Sequence, residues 1–175
     1  MPPAELEVLI PASKIHARVA ELGAQISADY GDRPLLLVGV LTGSFIFLAD
    51  LVRHLKCPVR IQFLGTKSYA GKTSTGQVQL TKDLDSAVEG LDVLIVEDII
   101  DTGLTLSYLK KLISQGQPAS LKVAAFLDKP SRRKVEIHGD YVGFEIEDRF
   151  VVGYGLDYEQ RYRNLPDLCV VNTSA

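Results

Sequence analysis

The chain has 175 residues, 46% of them hydrophobic and 23% charged, and a formal net charge of −3 at pH 7. Those values are ordinary for a globular protein and exclude wholesale disorder. The acidic balance argues against a chain held mainly by nucleic-acid phosphates or anionic lipid, so neither nucleic acid nor membrane is expected as a partner.

The length predicts a single domain over residues 1–175, large enough to bury a core without staples. Cys57 and Cys169 lie far apart and outside any C-x-x-C, which reads as two free thiols in a reducing compartment. His16, His54 and His138 show no metal-ligand spacing. Residues Met1–Glu7 have neither the basic nor the apolar region of a signal peptide, and no apolar run approaches the ~20 residues of a membrane helix. A soluble, cytoplasmic protein is expected, and the sequon match Asn172-Thr173-Ser174 is incidental to it.

Taken in chain order, Ser13 can cap a helix running to about Asp29, with Ile15, Val19, Leu22 and Ile26 on one apolar face. The continuous apolar run Leu35–Val40 suits a parallel strand covered on both faces. Thr42-Gly43-Ser44 breaks it, and Phe45–Lys56 reads as a second helix. Val59–Leu64 is another strand. The polar stretch Gly65–Gln79, rich in Gly, Ser and Thr, reads as a mobile lid loop, over about residues 65–80. Val93–Val96 is the most buried strand candidate. A helix follows over Leu104–Gln115, with Gly116 as its stop signal. Val123–Leu127, Val142–Ile146, Phe150–Val152 and Leu168–Val171 complete the strands. The alternation predicts an α/β fold: a central, mainly parallel sheet flanked by helices, with a small irregular cap.

Gly71-Lys72-Thr73 looks like the end of a P-loop, but five residues separate Gly65 from Gly71 where the motif needs four, and no helical pattern follows. No G-x-G-x-x-G follows a strand either, so a nicotinamide or flavin site is not supported.

The informative stretch runs from Val93 to Leu106. A buried strand ends in the adjacent carboxylates Glu97 and Asp98, and Asp101 follows at the mouth of a helix. A cap needs one acid only. Three acids this close repel one another unless a cation or hydroxyl groups accept their charge. Thr102–Thr105 add small or hydroxyl side chains and backbone N–H groups at a helix N-terminus, a ready phosphate cradle. A ligand satisfying both has a phosphate a few ångströms from a vicinal diol or a metal-bound group, as a ribose 5-phosphate does.

This segment resembles the phosphoribosyl-pyrophosphate (PRPP) motif of type I phosphoribosyltransferases. Val142–Ile146, Phe150–Tyr158, Arg161-Tyr162-Arg163, Leu41–Ser44 and Ser68-Tyr69 resemble the hypoxanthine-guanine subfamily in particular, over roughly residues 10–172. The resemblance implies the type I phosphoribosyltransferase fold. It also implies purine salvage: transfer of the 5-phosphoribosyl group from PRPP to hypoxanthine or guanine, with Mg²⁺ and a homodimeric or homotetrameric assembly. By the same resemblance Glu97 and Asp98 hold the ribose hydroxyls or Mg²⁺. Asp101 is the general acid/base near purine N7, and Thr102, Gly103, Leu104 and Thr105 bind the 5-phosphate. Thr42 and Gly43 form the pyrophosphate loop, where relatives often carry Lys before the Gly. Threonine there leaves more of the contact to backbone N–H groups.

Lys129 would donate to the 6-oxo oxygen of the purine, Phe150 would stack on the base and the Val151 backbone would read its edge. Asp157 is implied as a further metal and substrate contact, Arg163 as a pyrophosphate ligand with Arg161 as its competitor, and Ser68 and Tyr69 as parts of the closing lid. Two alternatives stay open: a PRPP-sensing regulator on the same fold, and a transferase preferring xanthine.

Overall fold

The computed structural model describes residues 5–68 and 77–172, and Ser68 by its backbone alone. Its elements are β1 (Glu5–Ile10), α1 (Ala12–Tyr30), β2 (Leu35–Leu41), α2 (Phe45–Val52), β3 (Val59–Ser68), β4 (Val78–Lys82), β5 (Asp92–Ile100), α3 (Leu104–Ser114), β6 (Ser120–Asp128), β7 (Tyr141–Glu145), β8 (Val151–Val152) and β9 (Leu168–Asn172). A 3-10 turn at Pro130–Arg132 joins β6 to β7.

A six-stranded sheet runs in the order β4-β3-β2-β5-β6-β7, and a three-stranded sheet in the order β1-β9-β8. In the large sheet β2, β3, β5, β6 and β7 pair in parallel, and β4 pairs antiparallel at the edge. The apolar run of β2 is continuous because each face meets a different core. Leu35 and Leu37 pack with α1 and α2 residues such as Val19 and Phe47. Leu36 and Val38 pack with Leu109 and Ile113 of α3. Successive side chains of a strand alternate between faces, so a strand covered twice needs apolar residues at every position.

Several boundaries differ from the sequence reading. Helix α1 begins at Ala12 behind Pro11, with no side-chain cap on its own strand of sequence. Instead Asp167 Oδ1, 155 positions away, accepts from Ala12 N at 2.7 Å. This tertiary contact replaces the cap assigned to Ser13. Helix α2 stops at Val52, short of Lys56. Strand β3 continues to Ser68 and β4 starts at Val78, so both ends of the expected lid are sheet. Its centre lies outside the described residues. Gly116 follows α3 at a close approach to Val88, whose Cγ2 would lie 2.5 Å from an added Cβ, while the left-handed residue is Gln117. Strand β1 has no counterpart in the sequence reading. Its exposed faces hide the alternation, and pairing with β9 makes it a strand.

Candidate functional site

The strand order reverses between β2 and β5. From β2 the chain crosses through α2 to β3 on one side, and from β5 through α3 to β6 on the other. In open α/β sheets such a switch point opens a crevice beyond the strands' carboxyl ends. A cavity of about 430 Å³ lies there, lined by Thr42 and Gly43 after β2, by Glu97–Gly103 and Thr105, by Thr66 of β3, and by Asp157 and Arg163.

Strand β5 runs through the acidic pair instead of ending before it. Glu97 is therefore buried at 6% exposure, while Asp98 is half-buried. Asp98 Oδ1 accepts from the Ile99 backbone at 2.7 Å. Burial pushes the Glu97 carboxyl well above its ordinary range, and the adjacent Asp98 charge raises it further. Asp98 is also raised by burial, with its Ile99 hydrogen bond, its Glu97 hydrogen bond and the Arg163 charge opposing the shift. Both shifts disfavour charge on the pair, so a cation or a hydroxyl-rich ligand that stabilises the carboxylates would offset the cost of burying them.

Gly43 backs onto this pair. A Cβ at position 43 would lie 1.7 Å from Asp98 Oδ2. The Leu41–Thr42 peptide before it is cis. The turn is closed by Phe45 N donating to Thr42 O at 3.2 Å and by Ser44 Oγ donating to Val40 O at 2.7 Å. Gly155 packs against the same turn: its Cβ would lie 2.3 Å from Gly43 O.

On the other wall, Gly103 is left-handed at φ 85° and precedes α3. An added Cβ there would meet Ile137 Cγ2 at 2.5 Å, so both backbone angle and space require glycine. Leu104 N, at the first position of the helix, donates to Thr102 Oγ1 at 3.4 Å, and Leu104 is not among the residues lining the cavity.

Arg163 lines the cavity and Arg161 does not, which separates the two candidates by position. The Arg163 guanidinium donates to Gly155 O at 2.8 Å and lies 3.2 Å from Asp157 Oδ1. Asp157 Oδ2 also accepts from Gln160 N at 2.9 Å. With Asp157 engaged in this way, Glu97, Asp98 and Asp157 do not converge into a three-carboxylate metal site, and no other such group occurs among the described residues.

Lys129, Phe150 and Val151, assigned to the base, are not among the residues lining this cavity. Lys129 is buried at 7% exposure with its Nζ 3.7 Å from Asp148 Oδ1, and its backbone N donates to Ile100 O at 2.9 Å. Phe150 is 51% exposed and meets Tyr158 edge-on at 5.5 Å. Val151 is buried in β8. Tyr69 and the Ser68 side chain lie outside the described residues.

The sequence reading missed Thr66, Arg132 and Arg133. Thr66 falls in the polar stretch that reads as a loop, but it belongs to β3 and lines the cavity. Arg132 Nε donates to Asp101 Oδ1 at 2.9 Å. Arg133 donates to the Asp101 and Ile100 carbonyls at 2.7 and 3.3 Å and to Asp128 at 2.5 Å. Lys134 N donates to Thr102 O at 2.8 Å. The double arginine was a visible signal, but only the fold sets it beside the loop.

A mainly parallel sheet carries, at its switch point, one cavity shared by an acidic pair and the start of a helix, the arrangement of an α/β ligand-binding domain. The phosphoribosyl transferase domain family matches residues 11–159, and the chain belongs to it. Among its relatives is the hypoxanthine phosphoribosyltransferase of Haemophilus influenzae, 53% identical over 164 residues, covering 91% of this chain and 92% of the relative. The hypoxanthine-guanine phosphoribosyltransferase of Bacillus subtilis is 50% identical, covering 94% and 92%. A crystal structure of a hypoxanthine-guanine phosphoribosyltransferase from Bacillus anthracis superposes with a TM-score of 0.91 at 45% identity, covering 96% of this chain and 99% of that one. The type I phosphoribosyltransferase fold expected from the sequence is the fold observed.

Proposed function

We propose that the protein transfers the 5-phosphoribosyl group of PRPP to hypoxanthine or guanine, giving IMP or GMP and pyrophosphate. The observation that carries this reading is the shared cavity: Glu97 and Asp98 face the same space as Thr102, Gly103 and Thr105. A ribose lying across it presents its vicinal hydroxyls to the carboxylates and its 5-phosphate to the start of α3. The names of the relatives above supply the purine.

In this reading Gly43 and Arg163 hold the pyrophosphate at the opposite wall. The C1–oxygen bond breaks with its electron pair leaving on pyrophosphate. A lone pair on purine N9 forms the new bond to C1, and the proton on N7 passes to Asp101. Lys129, a donor only, favours a 6-oxo group over a 6-amino group. Phe150 stacks on the base with its exposed ring, and Val151 contributes its backbone.

Mg²⁺ fits this donor set. Magnesium is usually held by one or two carboxylates together with substrate phosphates, and Glu97 and Asp98 supply that share without a closed protein cage. It would neutralise charge on the departing pyrophosphate. Asp157, engaged by Arg163, would act on substrate or on metal-bound water.

We extend the proposal to a cytoplasmic homo-oligomer. No helix among the described residues is long and apolar enough to cross a membrane. Val59 and Ile61 expose apolar side chains on one face of β3, at 37% and 44%. Light scattering on the purified protein reads the assembly state.

The deciding experiment is a spectrophotometric assay with PRPP, Mg²⁺ and each of hypoxanthine, guanine, xanthine and adenine. Turnover of the first two is expected. Asp101→Asn is expected to lower kcat by about 10²–10⁴-fold, the usual worth of a general acid/base. Tight PRPP binding without turnover of any base would favour a sensor instead, and turnover of xanthine alone would reassign the substrate.

A further inference from the structure

Asp101 stands on a loop, and its side chain is 42% exposed. A loop carboxylate free to rotate is a poor proton acceptor, because the acceptor oxygen must sit within hydrogen-bond reach of one particular nitrogen. Two consecutive arginines from the turn after β6 remove that freedom. Arg133 fixes the main chain by donating to the Asp101 carbonyl at 2.7 Å. Arg132 fixes the side chain, its Nε donating to Oδ1 at 2.9 Å. Oδ1 carries this hydrogen bond, which leaves Oδ2 as the oxygen to be offered to a ligand.

Arg132 is itself held from behind. Its Nη1 lies 3.6 Å from Asp148 Oδ2, and Asp148 Oδ1 lies 3.7 Å from Lys129 Nζ. Arg132 N also donates to the Lys129 carbonyl at 3.1 Å, closing the 3-10 turn. Charges alternate along Lys129, Asp148, Arg132 and Asp101, so the group assigned to the purine oxo oxygen and the group assigned to its N7 proton share one frame.

We propose that Arg132 is a positioning residue for Asp101: it pins Oδ1 so that Oδ2 faces the purine at a spacing set by Lys129. The ion pair adds little to stability, since both partners are about half exposed at 46% and 42%. Its contribution is geometric. Misplacing a catalytic group by ~1 Å can cost up to about 10²-fold in rate. The inference rests on the reading of Asp101 as proton acceptor given above.

The test compares steady-state kinetics of wild type, Arg132→Gln, Arg132→Lys, Asp101→Asn and the Asp101→Asn/Arg132→Gln double variant, with PRPP, Mg²⁺ and hypoxanthine. Arg132→Gln is expected to lower kcat about 10- to 100-fold with the KM for PRPP unchanged. Arg132→Lys recovers part of the loss, because an ammonium restores the charge but not the fork. The double variant is expected to be no slower than Asp101→Asn alone, since Arg132 has nothing left to aim. Wild-type kcat in Arg132→Gln, with Asp101→Asn slow, overturns this inference and leaves the reading of Asp101 intact. Additive losses in the double variant also overturn it, because Arg132 would then act elsewhere. Wild-type turnover in Asp101→Asn instead sinks the underlying reading.

Discussion

Gly43 and Asp98 occupy positions that exclude any side chain between them: a Cβ on residue 43 would stand 1.7 Å from Asp98 Oδ2. The turn after β2 and the end of β5 are thereby packed backbone to carboxylate. Gly43→Ala forces Asp98, Glu97 or the turn to move. Overpacking of this kind costs about 1–3 kcal/mol. We expect a lower denaturation midpoint and a raised KM for PRPP, read by urea titration and by the transfer assay. An alanine variant with wild-type KM would show that the turn can shift without disturbing the pair.

Glu97 predicts an unusual pH dependence of the free protein. Its carboxyl is raised in the folded state, chiefly by burial. Between the ordinary carboxylate range and the raised value, the folded state therefore binds more protons than the unfolded state. Stability then falls as pH rises through that window. Glu97→Gln keeps a side-chain donor for Asp98 but carries no charge to bury. The variant is expected to hold its stability where the wild type loses it, so the two curves diverge as pH increases above the carboxylate range. Chemical denaturation of the ligand-free proteins at stepped pH values measures this, and parallel curves would refute it.

Lys129 is expected to govern the choice of base. Replacing it by Gln removes a charged donor, and a hydrogen bond to a charged group is worth about 1.5–3 kcal/mol. We expect Lys129→Gln to raise the KM for hypoxanthine by roughly 10- to 100-fold and to narrow the preference over adenine. The KM for PRPP should stay near that of wild type. Competition assays with paired bases report the preference directly.

Arg133 is a structural counterpart to its neighbour. Its side chain and that of Asp128 are 13% and 12% exposed, and Arg133 also donates to the Ile137, Ile100 and Asp101 carbonyls. Removing one partner of a buried pair leaves an uncompensated charge and costs about 3–5 kcal/mol. Arg133→Met is expected to lower the thermal midpoint by many degrees, whereas Arg132→Gln should leave it nearly unchanged. Equal thermal effects would contradict the division of labour between them.

The sequence by itself determined the α/β class, the parallel strands and the acidic segment. Those features are local: a run such as Leu35–Val40 is apolar at every position because both its faces are covered, and Glu97, Asp98 and Asp101 are neighbours in the chain. The family resemblance added Asp157 and Arg163, and the structure sets both on the cavity wall. What only the tertiary structure decided is long-range. Asp167 replaces a local cap on α1, β1 becomes a strand by pairing with β9, and Arg132 meets Asp101 across 31 positions. Such contacts depend on where the sheet carries each loop, and neither periodicity nor composition encodes that distance. The same reason explains Glu97, whose raised carboxyl follows from burial at the switch point and not from the identity of its neighbours alone.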